Sequence, residues 1–242
     1  MLKKICMFGV VLFMFIFLSS MVSANTNFTQ GLYSWYSLED DLTDELGNSD
    51  GSGTMDSYGS AGGINNKYGQ FDGNDYLDTN VDPAATFGTD YTYNAWYNRS
   101  SWAISGTEVL MADFKSTTGE FNTFVYVLDT NKLRLLLGDG GCAGGLFVDY
   151  TITDTSEGWR MISLVRDGDL YKLYYNGVNV GNQTDTQCDD AEEMWIGERS
   201  DNNGFTFEGT VDEIGAWQIN LTNDNITDLY NAGAGRFYPF SG

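Results

Sequence analysis

The stretch Trp159 to Gly181, WRMISLVRDGDLYKLYYNGVNVG, decides the fold class. It is two alternating runs around one tight turn, followed at once by a second turn. Met161, Ser163 and Val165 fall on one face of the first run, and Ile162, Leu164 and Arg166 on the other. Asp167-Gly168-Asp169 supplies the turn, because glycine tolerates positive φ and aspartate bonds its own backbone. Leu170 to Tyr175 is the return strand, Asn176-Gly177 turns again, and Val178 to Val180 begins a third strand. Two hairpin signals this close together specify antiparallel sheet.

Outward from this hairpin the chain repeats the same grammar. Gly31 to Leu38 reads as a strand buried on both sides. Tyr91 to Ser100 puts Tyr91, Tyr93, Ala95 and Tyr97 on one face. Further strands are expected at Glu108 to Phe114, Phe121 to Leu128, Lys132 to Leu137, Leu146 to Thr151, Glu193 to Glu198 and Phe207 to Trp217, with turn-rich segments between them. Glu39 to Gly63 is a long polar segment, of a length that is usually functional when it lies inside a compact domain. Thr222 to Gly233 differs: Thr222 can cap a short helix, Ile226, Leu229 and Tyr230 share a face, and Gly233 ends it. The expected architecture is all-β, a two-sheet antiparallel jelly-roll sandwich with one short C-terminal helix.

The first 24 residues read as a signal peptide: Lys3 and Lys4, an apolar run from Met7 to Phe17, then Val22-Ser23-Ala24 before the expected cut. An uncleaved N-terminal anchor is the alternative. Residues 25–242 are expected to form a single domain, long enough to bury a core without metal or disulfide. The whole chain carries 12 basic and 34 acidic residues, a net charge of −22. Such a surface argues against nucleic acid and anionic membrane as partners. It suits either a solvated extracellular surface or binding of multivalent cations. Beyond the leader only Cys142 and Cys188 remain. Two readings stand for them, a disulfide between the two or a pair of free thiols. The chain has no histidine. That excludes serine–histidine and cysteine–histidine catalysis and histidine-ligated zinc, leaving carboxylate and oxygen-ligand chemistry.

Several stretches resemble the concanavalin A-like lectin/glucanase superfamily, in its laminin G-like jelly-roll branch. Tyr68-Gly69-Gln70-Phe71-Asp72-Gly73-Asn74-Asp75-Tyr76-Leu77 is similar to a strand of that branch. Trp159 to Gly181 resembles its Trp-His…Asp-Gly…Leu-Tyr-x-Asn-Gly hairpin, with Arg160 where histidine is common. Trp195-Ile196-Gly197, Phe207 to Ile214 and Ile226 to Gly233 resemble its closing strands and helix, and Trp35 to Gly53 its opening segment. The resemblance implies two packed antiparallel sheets and a binding role toward glycans, proteins or cell-surface components.

The acidic opening segment offers oxygen ligands at short spacing: Asp40, Asp41, Asp44, Asn48 and Asp50. A calcium ion takes six to eight such oxygens in a flexible cage. The resemblance implies a structural calcium between this segment and the closing strand, which adds Asp212; the candidate metal set is Asp44, Asn48 and Asp212. A glycanase needs paired carboxylates flanking a cleft. The Glu-x-Asp-x-x-Glu strand of the superfamily's glucanases is missing, and Glu208, Asp212 and Glu213 lack its spacing, so no catalytic residue is assigned. Sugar recognition uses an aromatic face beside polar groups. Tyr97, Trp102, Tyr126, Phe147 and Tyr150 are the candidate platforms. Asn-x-Ser/Thr acceptors occur at Asn27, Asn98, Asn182, Asn220 and Asn225. The reading is a secreted, non-catalytic recognition domain for carbohydrate or a glycosylated surface, without nucleic acid. The alternatives are a structural or adhesive surface protein that assembles with itself or others, and a glycan hydrolase or lyase.

Overall fold

The structure is a computed structural model that describes residues 27–55, 57–115, 117–129, 131–138, 145–185, 192–200 and 204–240. The leader, Cys142 and Cys188 lie outside the described residues. Strands run in chain order β1 (Leu32–Tyr36), β2 (Ser52–Thr54), β3 (Ser57–Gly59), β4 (Tyr68–Asp72) and β5 (Tyr76–Asp78). After a one-and-a-half-turn helix α1 (Pro83–Phe87) come β6 (Asp90–Asn98), β7 (Thr107–Lys115), β8 (Glu120–Leu128), β9 (Lys132–Leu137) and β10 (Leu146–Thr151). The hairpin strands are β11 (Arg160–Asp167), β12 (Leu170–Tyr175) and β13 (Val178–Thr184). β14 (Met194–Ile196), β15 (Glu208–Trp217) and α2 (Asn223–Tyr230) complete the chain.

The strands form two antiparallel sheets. The first has the order β13-β12-β11-β6-β15-β4-β3, with β1 also paired to β15; the second has the order β10-β9-β8-β7-β14-β5-β2. The opening hairpin behaves as its turns dictate. Gly168, Asn176 and Gly177 all take positive φ, which is what two-residue hairpin loops need to match strand twist. β11 then pairs along its length with β6, Ile162 opposite Ala95 and Leu164 opposite Tyr93, at the centre of the first sheet.

Between the sheets lie the inward faces of both: Tyr91, Tyr93, Ala95, Tyr97, Ile162, Leu164 and Leu173 from the first, and Met111, Val125, Val127, Leu133, Leu135 and Ile196 from the second. A second apolar cluster occupies the outer side of the first sheet. There Trp35, Trp96, Met161, Val165, Tyr174 and Trp217 are covered by Phe28, Leu221, Ile226 and Leu229. This accounts for strands apolar on both faces. Alternate residues go to two separate cores.

The C-terminal helix forms with the cap its sequence predicts, but it stops at Tyr230, short of the expected Gly233. The Thr222 side chain accepts from the Asn225 amide and Asn225 reaches back to cap Thr222, and Asn231 closes the other end in the left-handed region. The polar segment Glu39 to Gly63 is not wholly loop: β2 and β3 lie in it as three-residue edge strands. Strands that short show no periodicity to read, and α1, five residues long, is equally silent in sequence.

Candidate functional site

The outer side of the second sheet is where aromatic side chains meet polar ones at the surface. Register places one row across five strands: Phe147 opposite Leu136, Leu136 opposite Phe124, Phe124 opposite Ala112, and Ala112 opposite Trp195. A parallel row runs from Asp149 through Arg134 to Tyr126 and Val109. Side chains two residues apart on a strand share a face, so the two rows form one surface.

Its floor is a cluster of rings. Phe121 meets Phe124 edge-on at 4.9 Å, Phe114 meets Phe124 at 5.6 Å, and Tyr126 stands perpendicular to Phe124 at 6.3 Å. With Leu136 and Phe205 they line a cavity of about 400 Å³. One wall is the segment after β14. It is tied to β7 by the Gly197 amide on the Leu110 carbonyl and the Val109 amide on the Phe205 carbonyl. That tie brings the Arg199 guanidinium over the rings of Phe114, Phe124 and Phe205, at 4.5, 5.6 and 5.0 Å. At the open end Phe147 is half exposed and Arg134 lies over its ring at 4.1 Å. Arg134 is held flat by a two-pronged pair with Asp149, at 2.5 and 2.9 Å. The pair and Lys132 keep the Asp149 carboxyl below its ordinary value, with Arg134 the larger cause. The result is a rigid aromatic platform with a fixed donor–acceptor pair beside it, which can stack an apolar sugar face and bond its hydroxyls.

A second groove, about 630 Å³, opens at one end of the first sheet. It is polar, lined by Gln70, Asp72, Asn98, Glu208 and Thr210, with Tyr68 as its aromatic wall. Tyr68 leans edge-on against Trp159 at 6.0 Å, and the Trp159 indole donates to the Gly62 carbonyl.

Of the expected platform residues, Tyr126 lies on the open face and Phe147 forms its edge. Tyr97 and Trp102 do not offer a face. Both are fully buried, Tyr97 donating to the Leu110 carbonyl and Trp102 to the Gly158 carbonyl. Tyr97 follows the inward set Tyr91, Tyr93 and Ala95, so the alternation that marked the strand also put it in the core. Tyr150 pairs with the inward Leu133 and packs against Tyr175 at 5.2 Å, on the inner side of its sheet rather than the surface. Phe114, Phe121, Phe124 and Leu136 were not singled out in the sequence. Their strands are apolar on both faces, so alternation alone did not mark which of their rings turn outward.

The acidic side chains serve the backbone. Asp44 is buried. One oxygen accepts from the amides of Trp35 and Leu46, the other from those of Asn48 and Ser49. The Asn48 side-chain amide donates to the Tyr33 carbonyl. Asp212 accepts from the amides of Ile64 and Glu213, and Glu213 from the indole of Trp35. Each Asp44 oxygen thus accepts from two backbone amides and each Asp212 oxygen from one, the work of structural carboxylates. Among the described residues no three acidic or cysteine side chains group to hold a metal. Asp212 and Glu213 are both sealed from solvent, and burial raises their carboxyls to about 8 and about 9. A pair without access to substrate cannot flank a scissile bond.

A laminin G-like profile of the concanavalin A-like lectin/glucanases superfamily matches residues 71–227. The chain belongs to this superfamily. No curated protein matches this superfamily member by sequence. Solved structures with the same jelly-roll fold include domain 4 of an extracellular arabinanase from Geobacillus stearothermophilus in complex with arabinotriose. It is 19% identical with a TM-score of 0.61, over 81% of this chain and 97% of that one. The binding domain of Paraclostridial Mosquitocidal Protein 1 aligns at 15% identity and a TM-score of 0.65, over 84% of this chain and 52% of that one. The botulinum neurotoxin serotype D binding domain aligns at 13% and 0.62, over 83% and 51%. This lectin-like domain thus spans about half the length of those toxin domains. No helix among its described residues is long and apolar enough to cross a membrane.

Proposed function

We propose that this chain is a secreted, non-catalytic carbohydrate-recognition domain, and that it holds saccharide on the outer face of its second sheet. The observation that carries the reading is the half-exposed Phe147 ring beside the locked Arg134–Asp149 pair, continuous through Leu136 with the ring-lined cavity at Tyr126. Stacking on the ring gives affinity, and the fixed guanidinium and carboxylate select hydroxyl positions. The arabinotriose complex of the arabinanase domain supports saccharide as the ligand class, and the acidic surface suits life outside the cell. Calcium has no place in this reading, so millimolar calcium or chelator should leave the melting midpoint unmoved; a rise with calcium alone would restore the metal site.

The test is calorimetric titration of the protein with arabinotriose and a panel of neutral and acidic oligosaccharides. Binding that falls at least about tenfold in Tyr126→Ala and Phe147→Ala supports the assignment. No saccharide bound by the parent protein, together with large self-assemblies in solution, would replace it with the adhesive reading.

A further inference from the structure

The floor of the aromatic cavity depends on an irregularity in β8. Where β7 advances two residues from Ala112 to Phe114, β8 takes three from Phe124 to Phe121, so Asn122 and Thr123 together oppose Asp113 in a bulge. Ala112 and Phe114 both face the outer, ring-lined side. Asp113 goes the other way. It is fully buried, and one of its oxygens accepts from two successive amides of β8, Asn122 at 2.9 Å and Thr123 at 2.5 Å. These two residues sit between Phe121 and Phe124. The carboxyl thus replaces a backbone carbonyl in the ladder, and it does so at the point where three of the cavity's rings are anchored.

Its other oxygen, Oδ2, has no hydrogen-bond partner among the described residues, and neither has the nearby Tyr91 hydroxyl. The side chains of Asn122 and Thr123 lie close to the carboxyl without completing a bond to it. The ionisable groups within electrostatic reach are Tyr91 and Tyr93 from β6 and Tyr171 from β12. The Arg166 guanidinium of β11 lies over the Tyr91 and Tyr171 rings and is bonded to the Gly88 and Gly168 carbonyls. No cation pairs with Asp113 among the described residues.

We infer that Asp113 is a positioning residue for the aromatic cavity: from the inner side of the sheet it holds the β8 bulge that sets Phe121 and Phe124 beside Phe114 on the outer side. Burial raises the carboxyl to about 7, against the opposing pull of the two amides. A raised carboxyl contributes most below the ordinary carboxylate range, and that contribution is lost as pH rises through about 7. The fold around the bulge is therefore more stable in mild acid and less stable in mild base, where a buried charge without a cation has to be carried. With no histidine in the chain, no imbalance in this window comes from imidazole.

The inference rests on the saccharide reading for its biological use, but its test has a readout that does not. The experiment compares the parent protein with Asp113→Asn, which keeps an acceptor for both amides and carries no charge. Melting midpoints are taken from about pH 5 to about pH 8, with the ring-proton resonances of Phe121 and Phe124 and the affinity for arabinotriose at each pH. The parent should bind about fivefold more tightly at the acid end, and its ring resonances should shift with one inflection. Asp113→Asn should bind at every pH as the parent does in acid, with no inflection and a flatter melting profile. Asp212→Asn, on the opposite sheet, should keep the parent's inflection. An unchanged inflection in Asp113→Asn overturns the inference. If arabinotriose binds neither protein, the ligand choice fails, and the ring resonances and melting profiles decide the role of Asp113 by themselves.

Discussion

On the outer side of the first sheet Trp35, Trp96 and Trp217 are sealed. On the outer side of the second, Phe147 stands half exposed beside Tyr126 and Leu136. Both faces are aromatic and both are backed by the same inter-sheet core. The difference is what lies on top. Residues before β1, helix α2 and the C-terminal Phe237, Tyr238 and Phe240 fold back over the first face, with the Trp217 indole donating to the Phe28 carbonyl. Over the second face, among the described residues, Arg199 and Phe205 reach across one end. An aromatic row becomes core or binding surface according to its cover, and the cover is supplied by chain ends far away in sequence.

The comparison breaks most violently at Trp217. It fills the sealed face, edge-on to Trp35 at 5.8 Å. Trp217→Ala should cost about 3–5 kcal/mol, the range for removing a buried tryptophan. Denaturant unfolding reads it, and a loss below about 1 kcal/mol would mean the cover is loose and the first face is not a core.

Next in size is the pH response beneath the same cover. Burial is the main cause that raises Asp212 and Glu213, and for Glu213 the neighbouring Asp212 adds to it. Raised carboxyls mean that the folded protein binds more protons than the unfolded chain. Their contribution is fullest below about pH 4 and drains away as pH rises toward about 8 to 9. Thermal melting across this range should fall with pH, and Asp212→Asn should flatten the fall; parallel curves for the two proteins would remove the pair from the account.

Smaller again is the latch of the cover. Thr222→Ala removes the side chain that accepts from the Asn225 amide, at a cost of about 1 kcal/mol. If the helix seals the face, that loss should also raise hydrogen exchange at the amides of Ile226 and Leu229 before any change at β9. Equal protection in both proteins would show that the cap does not control the cover.

These contrasts also mark how far the sequence could be read. The hairpin at Trp159 to Gly181 was legible because its turn residues and its alternation agree, and the C-terminal helix because its N-terminal cap is chemically specific, although Asn231 and not Gly233 ends it. The site was only half legible. Tyr126 and Phe147 are aromatic residues on recognisable strands, but so are Tyr97 and Trp102, and nothing local distinguishes an inward ring from an outward one when both faces of a strand are apolar. Asp44 shows the same limit in polar form. A cluster of oxygen-bearing side chains has the composition of a cation cage, and folding turns it into an acceptor for four backbone amides. The bulge opposite Asp113 left no trace in the pattern, since the extra residue in Asn122-Thr123 looks like an ordinary polar position.

The smallest effect on stability should come with the sharpest effect on binding, at Phe147. Its ring is 50% exposed, and its main neighbour is the Arg134 guanidinium. Phe147→Ala removes little buried surface, so denaturant unfolding should change by less than about 1 kcal/mol. The Arg134–Asp149 pair should survive, because its two bonds do not involve the ring. If the open face is a saccharide platform, the same change should weaken oligosaccharide binding by about tenfold, since stacking on the exposed ring is what the substitution deletes. Phe147→Tyr should restore most of it by keeping the ring. Stability and affinity would then separate at one residue on the open face, where on the sealed face Trp217→Ala moves stability alone. A Phe147→Ala protein that unfolds early and binds normally would reverse that assignment and make the second face a core whose cover is still to be found.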